Sequence, residues 1–143
     1  MRYPVSFEQS SNVEAAAVAG TVLYIDDSPT MTILVERIVS GIPGVAFGSA
    51  PDGRTGLERA ARLQPDLVLL DLRLPDLGGE QVLARLRADR STRAIPVIVL
   101  TAETDPAVHH RLLAGGAQWI LTKPFEVTDL LRVVDGSLRA GRL

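Results

Sequence analysis

The chain has no cysteine among its 143 residues. That removes disulfides, thiolate metal sites and thiol catalysis, and it agrees with a cytoplasmic setting. An excess of basic charge is also missing: 15 Lys and Arg stand against 17 Asp and Glu, for a net charge of -2. Direct nucleic-acid binding needs Lys and Arg clustered along one face, so none is expected. No apolar run approaches the ~20 residues that cross a bilayer, and no membrane insertion is expected. Ala17-Val18-Ala19 mimics a cleavage site, but Glu8, Gln9, Asn12 and Glu14 interrupt any apolar region before it. A signal peptide is therefore rejected. Finally, neither G-x-G-x-x-G nor G-x-x-x-x-G-K-[ST] follows the first strand, where Asp26-Asp27-Ser28-Pro29 stands instead, so nucleotide binding through a Gly-rich turn is not expected.

What is present is a regular alternation of apolar patterns. Residues 1–20 read as a flexible leader. Thr21 to Ile25 is a continuous β-prone run, followed by a helix that Ser28-Pro29 opens, with Met31, Leu34, Val35 and Ile38 on one stripe. Residues 44–48 form a second strand, and the helix after Asp52-Gly53 carries Leu57, Ala60, Ala61 and Leu63 until Pro65 stops it. Leu67 to Leu70 is apolar without interruption and ends at Asp71, where Pro75 and Gly78-Gly79 force a turn. A helix over about 79–88 points Val82, Leu83 and Leu86 inward and Arg85 and Arg87 outward. Residues 95–100 are the next strand, with Pro96 tolerable near its start, and a helix over about 105–114 closes on Gly115-Gly116. Residues 118–122 are the fifth strand. Val127, Leu130, Leu131, Val134 and Leu138 then mark the most amphipathic helix.

Five strands alternating with five helices predict an α/β fold: a flavodoxin-like three-layer sandwich with a five-stranded parallel sheet in the order 2-1-3-4-5. That order lays strands one, three, four and five side by side, so Asp26-Asp27, Asp71, Thr101 and Lys123 share one carboxyl edge, spread over about three spacings of ~4.8 Å. Ligands bind at that edge in open α/β sheets. Three carboxylates against one ammonium call for a cation, and hard oxygens without His or Cys select Mg²⁺ or Mn²⁺. An incomplete oxygen cage suits a metal that completes its shell with phosphate oxygens. Asp71 is then the candidate nucleophile of an acyl phosphate, with Thr101 and Lys123 neutralising the transferred oxygens.

Asp26-Asp27 after strand one, Asp71 with Pro75 and Gly79 after strand three, Thr101-Ala102 after strand four and Lys123-Pro124-Phe125 after strand five resemble the receiver domain of two-component response regulators. The resemblance covers about 21–138 and sets the domain at 21–140. It implies a phosphorylatable signalling switch rather than an enzyme with an outside substrate, charged on Asp71 by a sensor histidine kinase or histidine phosphotransfer protein and read by a downstream protein target. It implies that Asp27, Asp71 and the Arg73 backbone carbonyl hold Mg²⁺ directly and Asp26 through water. A homodimer through the face of the fourth helix, fifth strand and fifth helix is also implied. Ile120 stands where the family often has an aromatic switch residue, and as a β-branched side chain it is expected to stay inward. Arg73 and Glu103 occupy variable positions from which a charged pair could shield the acyl phosphate.

Other readings compete. A receiver-like module working without phosphorylation would lack an acidic residue, the threonine or the lysine, and none is missing. A dehalogenase-type phosphatase needs a second Asp two residues after the nucleophile, where Arg73 stands, and room for a cap domain. No output domain is expected after the final helix. Asp26-Asp27 could be a plain helix cap. The adjacent His109 and His110 point about 100° apart on a helix and are read as a solvated face. Trp119 is expected to be core or half-buried, and Tyr24 and Phe125 core.

Overall fold

A computed structural model describes residues 19–141. The expected leader over 1–20 lies, for residues 1–18, outside the described residues, and Gly20 already belongs to the first strand. The elements run β1 (Gly20–Ile25), α1 (Pro29–Val39), β2 (Val45–Ala50), α2 (Gly53–Leu63), β3 (Leu67–Asp71), α3 (Gly79–Ala88), β4 (Val97–Thr101), α4 (Pro106–Ala114), β5 (Trp119–Thr122) and α5 (Val127–Ala140). All strand pairs are parallel, and the sheet order is β2-β1-β3-β4-β5. The expected topology is the observed one.

Burial on both faces explains why the central strands read as unbroken apolar runs. Val22, Tyr24, Leu67, Leu69, Ile98 and Leu100 face α1 and α5, where Val35, Ile38, Val39, Leu130, Val134 and Leu138 close one core. Leu23, Ile25, Val68, Leu70, Val97 and Val99 face the other way, onto α2, α3 and α4. Local chemistry starts the helices where the sequence indicates. Ser28 accepts the Met31 N–H ahead of Pro29, Asp52 accepts that of Thr55, and Asp105 accepts that of Ala107 ahead of Pro106.

Several side chains sit differently from expectation. Leu34 is 44% exposed because the buried stripe of α1 centres on Val35, Ile38 and Val39, and Leu34 lies roughly 95° off that centre at 100° per residue. Ala61 and Leu63 on α2 are exposed as well, since Gly53, Gly56 and Ala60 form the buried line of that helix, and Val127 is exposed as the first residue of α5, whose buried line begins at Leu130. Trp119, expected to be core or half-buried, is 55% exposed at the start of the edge strand β5. Arg87 does not point outward: its guanidinium donates to the carbonyls of Arg93, Ile95 and Gly116 at 3.1, 2.7 and 2.8 Å. Gly116 makes room for it, having a φ of 108° and a position where a Cβ would stand 2.6 Å from Arg87 Nε.

Candidate functional site at the carboxyl edge

The register of the sheet builds the site. Ile25 pairs with Leu70, Asp71 with Leu100, and Thr101 with Thr122, so the residues at or just beyond these ends emerge on one edge. One oxygen each from Asp26, Asp27 and Asp71 lies within 4.8 Å of the other two. Lys123 Nζ stands 3.6 Å from Asp71 Oδ2 and 3.9 Å from Asp26 Oδ2. Its backbone N–H donates to the Thr101 carbonyl at 2.7 Å, which places the lysine and threonine side by side. The sequence-read residues Asp26, Asp27, Asp71, Thr101 and Lys123 are thus gathered in one cleft.

They differ in setting. Asp26 is 3% exposed, Thr101 3% and Asp71 9%, whereas Asp27 is open to solvent. Asp26 accepts the Tyr24 hydroxyl through Oδ2 and the Ser28 N–H through Oδ1 at 3.0 Å. It therefore holds the β1–α1 turn, while the capping of α1 itself falls to Ser28. Burial pushes the Asp71 carboxyl above its ordinary value; Lys123 and the Arg73 N–H, 3.3 Å from Oδ1, pull against that, and the Asp26 charge adds to the rise. Each like-charged pair at such separations repels on the order of a few kcal/mol at an effective dielectric near 20. A divalent cation relieves that repulsion.

The loop after β3 is fixed from two sides. Gly79 packs so closely that a Cβ there would meet Leu72 Cα at 2.6 Å and the Asp71 carbonyl oxygen at 2.8 Å, and its N–H donates to the Leu72 carbonyl at 2.8 Å. Asp76 accepts the N–H groups of Gly53 and Leu77 at 2.8 Å and of Arg54 at 2.9 Å, which nails the loop to the start of α2. Burial works to raise its pKa, but these backbone donors from Arg54, Gly53 and Leu77 prevail and hold it below the ordinary carboxylate value. A shielding pair between Arg73 and Glu103 does not form. The Glu103 carboxylate is taken by the Thr104 and Asp105 N–H groups at 3.1 and 2.9 Å, and Arg73 is exposed without an ion pair among the described residues.

Ile120 is half-buried against the core on the α2, α3 and α4 side, and strand alternation puts Trp119 on the opposite face. Phe125 is half-buried beside the other core, and Tyr24 is fully buried as expected. Two polar roles escaped the sequence reading. Tyr24 is a core residue that also donates to Asp26; its place two residues earlier on the same strand, hence on the same face, is the signal that could have found it. Burial and the neighbouring carboxylates push its phenol far above the ordinary range, so it stays a neutral donor. His109 is not simply solvated: its Nε2 lies 2.6 Å from the Glu103 carbonyl oxygen.

A family model described as the response regulator receiver domain matches residues 22–135. The chain belongs to that family. It is 42% identical over 118 residues to the DNA-binding dual master transcriptional regulator RpaA of Synechocystis, a match covering 82% of this chain and 48% of that protein. It is 35% identical over 125 residues to the nitrate/nitrite response regulator NarL of Escherichia coli, covering 87% of this chain and 55% of that protein. The chain thus spans about half the length of these relatives. Among solved structures it is similar to the chemotaxis response regulator CheY4 of Vibrio cholerae, with a TM-score of 0.77, 28% identity and coverage of 84% of this chain and 99% of that one. The receiver domain of a Pseudomonas aeruginosa sensor histidine kinase, solved with magnesium coordinated in its active-site cleft, gives a TM-score of 0.77 at 27% identity, covering 85% and 98%. This receiver domain is a signalling domain of two-component systems, and no described helix is long and apolar enough to cross a membrane.

Proposed function

We propose that the chain is a phosphorylatable switch of a two-component phosphorelay, with Asp71 as phosphoacceptor. The observation that carries this is the meeting of three carboxylates within 4.8 Å, with the Lys123 ammonium 3.6 Å from Asp71. An Asp71 oxygen attacks the phosphorus of a phosphohistidine on a sensor histidine kinase or histidine phosphotransfer protein. The P–O bond forms as the P–N bond breaks, and the departing imidazole keeps the electron pair and takes a proton from solvent. Lys123 balances charge on the incoming phosphoryl oxygens, and Thr101 offers its hydroxyl to one of them. Water reverses the modification by attacking phosphorus and restoring the carboxylate.

Asp26, Asp27, Asp71 and the Arg73 backbone carbonyl are the groups that would hold Mg²⁺, or Mn²⁺ in its place. The donor set fits, being all hard oxygen and short of a full cage. The magnesium-bound receiver with a similar fold supports the choice. When bound, the cation supplies charge neutralisation for the phosphoryl oxygens. In this reading the chain works in the cytoplasm, hands its signal to a downstream protein target, and offers the face of α4, β5 and α5, where Leu113 and Trp119 are exposed, as its homodimer surface.

The test is intact mass after incubation with acetyl phosphate and Mg²⁺. The wild type gains one phosphoryl group, and Asp71→Asn or a chelator abolishes the gain. Undiminished labelling of Asp71→Asn overturns the assignment.

A further inference from the structure

Glu103 is tied at three points. Its N–H donates to the Thr101 hydroxyl oxygen at 3.0 Å. Its carboxylate accepts the Thr104 and Asp105 N–H groups, at the entrance to α4. Its carbonyl oxygen lies 2.6 Å from Nε2 of His109, one turn into that helix. A carbonyl can only accept, so Nε2 carries a proton in this contact. The Asp105 side chain is engaged by the Ala107 N–H at 2.9 Å. The β4–α4 loop is therefore knotted by one residue, with His109 as the clasp.

Thr101 is at one end of that knot. Its hydroxyl oxygen is engaged by the Glu103 N–H, and the hydroxyl makes no hydrogen bond to the side chain of Asp71 or Lys123 among the described residues. To follow a phosphoryl group on Asp71, the hydroxyl must shift toward it, and Glu103 must either follow or let go. Following is opposed by the bonds from Glu103 to Thr104, to the N-cap Asp105 and to His109 in the first turn of α4. The resting arrangement is favoured by every bond that must break.

We propose that the Glu103–His109 clasp sets the threshold of this switch, His109 acting as a positioning residue that holds Thr101 in its resting place. The proposal rests on Asp71 being the phosphoryl acceptor. Losing one net hydrogen bond from the resting state raises the fraction of the responsive state about fivefold while that state is rare, and tightens the apparent affinity for a phosphoryl mimic by the same factor.

The experiment is a titration of the whole chain with beryllofluoride at saturating Mg²⁺, followed by backbone amide resonances of Thr101 to Asp105. His109→Phe keeps a ring of similar bulk without a donor and should bind about fivefold more tightly. His109→Gln, whose amide can reach the same carbonyl, should return toward the wild type. Equal or weaker binding by a folded His109→Phe overturns the proposal, as does equal tightening by both variants, which would assign the effect to ring packing. In the wild type alone, amide protection at Glu103 and Asp105 should fall when beryllofluoride binds, and unchanged protection overturns it without any substitution. No beryllofluoride response at all is a separate result: it overturns the phosphoryl reading, and the clasp proposal falls with it.

Discussion

The two ends of the sheet handle buried polarity in opposite ways. At the amino end, the Arg87 guanidinium is matched by three backbone carbonyls, and the Asp66 carboxylate accepts the Thr21 N–H at 2.8 Å. The Thr92 hydroxyl reaches the Leu86 carbonyl at 2.8 Å. Charge there meets neutral backbone dipoles, and the Ser137 hydroxyl is the one buried side-chain polar group left without a partner among the described residues. At the carboxyl end, three carboxylates face one ammonium at distances too long for a hydrogen bond. The first end matches its charges with backbone partners and leaves only the Ser137 hydroxyl over, whereas the second is held in like-charge conflict by the rest of the fold. Such a conflict is sustained by neighbours and belongs where a ligand resolves it.

The contrast can be broken from the amino end first. Arg87→Ala leaves three carbonyls without their charged donor, and urea unfolding should show a loss of about 2–3 kcal/mol. The Mg²⁺ response should survive. A loss below about 0.5 kcal/mol would mean that water replaces the guanidinium freely and that the amino end is no tighter than the other.

At the carboxyl end the opposite sign is expected. Asp27→Ala removes a carboxylate from a crowded cluster, so the metal-free protein should be no less stable, while the rise of melting temperature with Mg²⁺ should vanish. A variant that keeps the full Mg²⁺-dependent rise places the metal elsewhere.

A smaller effect is expected at residue 120. Ile120 is already packed inward and has no polar end to move between water and core. Beryllofluoride with Mg²⁺ should shift Trp119 fluorescence modestly, and Ile120→Tyr should enlarge the shift by adding a second rotamer. A large wild-type change that the substitution leaves alone would show that the readout bypasses this position.

The smallest effect belongs to a pair outside both ends. Arg111 grips Glu80 with Nε and Nη2 at 3.1 and 3.0 Å, joining α4 to α3 on the surface. The Arg111 hydrogen bond holds the Glu80 pKa below its ordinary 4.5. A depressed carboxylate pKa contributes stability that is complete above the ordinary value and disappears as pH falls through the folded value. Glu80→Gln should therefore lower stability slightly at neutral pH, the exposed pair being screened, and not at all in acid. Parallel urea curves for the two proteins at both pH values test this.

How much was legible in the sequence follows from which interactions are local or periodic. The sheet order and both core faces were readable because Leu67 to Leu70 and Val97 to Leu100 are buried on both sides and the alternation of elements leaves few topologies. That Asp26, Asp27, Asp71, Thr101 and Lys123 share one edge was readable because each lies at the end of a strand or within two residues of it, and strand ends in a parallel sheet converge. What escaped depends on contacts between segments far apart in the chain. Arg87 reaches Gly116 across 29 residues, and Asp76 reaches Gly53 across 23; nothing in the local pattern distinguishes either from a solvated charge. Leu34 and Trp119 were misjudged for a different reason. Periodicity finds a stripe but not its centre, and an edge strand exposes side chains that a central strand would bury.

The ladder bond from Lys123 to the Thr101 carbonyl bears on which changes of length the chain can tolerate. Two extra residues within β5 would keep every inward side chain inward, because the pleat repeats every two, yet they would carry Lys123 about 6.6 Å along the strand at ~3.3 Å per residue. Such an insertion would leave a folded protein with an empty position in its cleft. The same two residues added to the turn at 40–44, before β2, would displace none of the cleft side chains. Insertions and deletions should therefore accumulate at the amino-side turns, and strand lengths near the cleft should be the most resistant part of the chain to change.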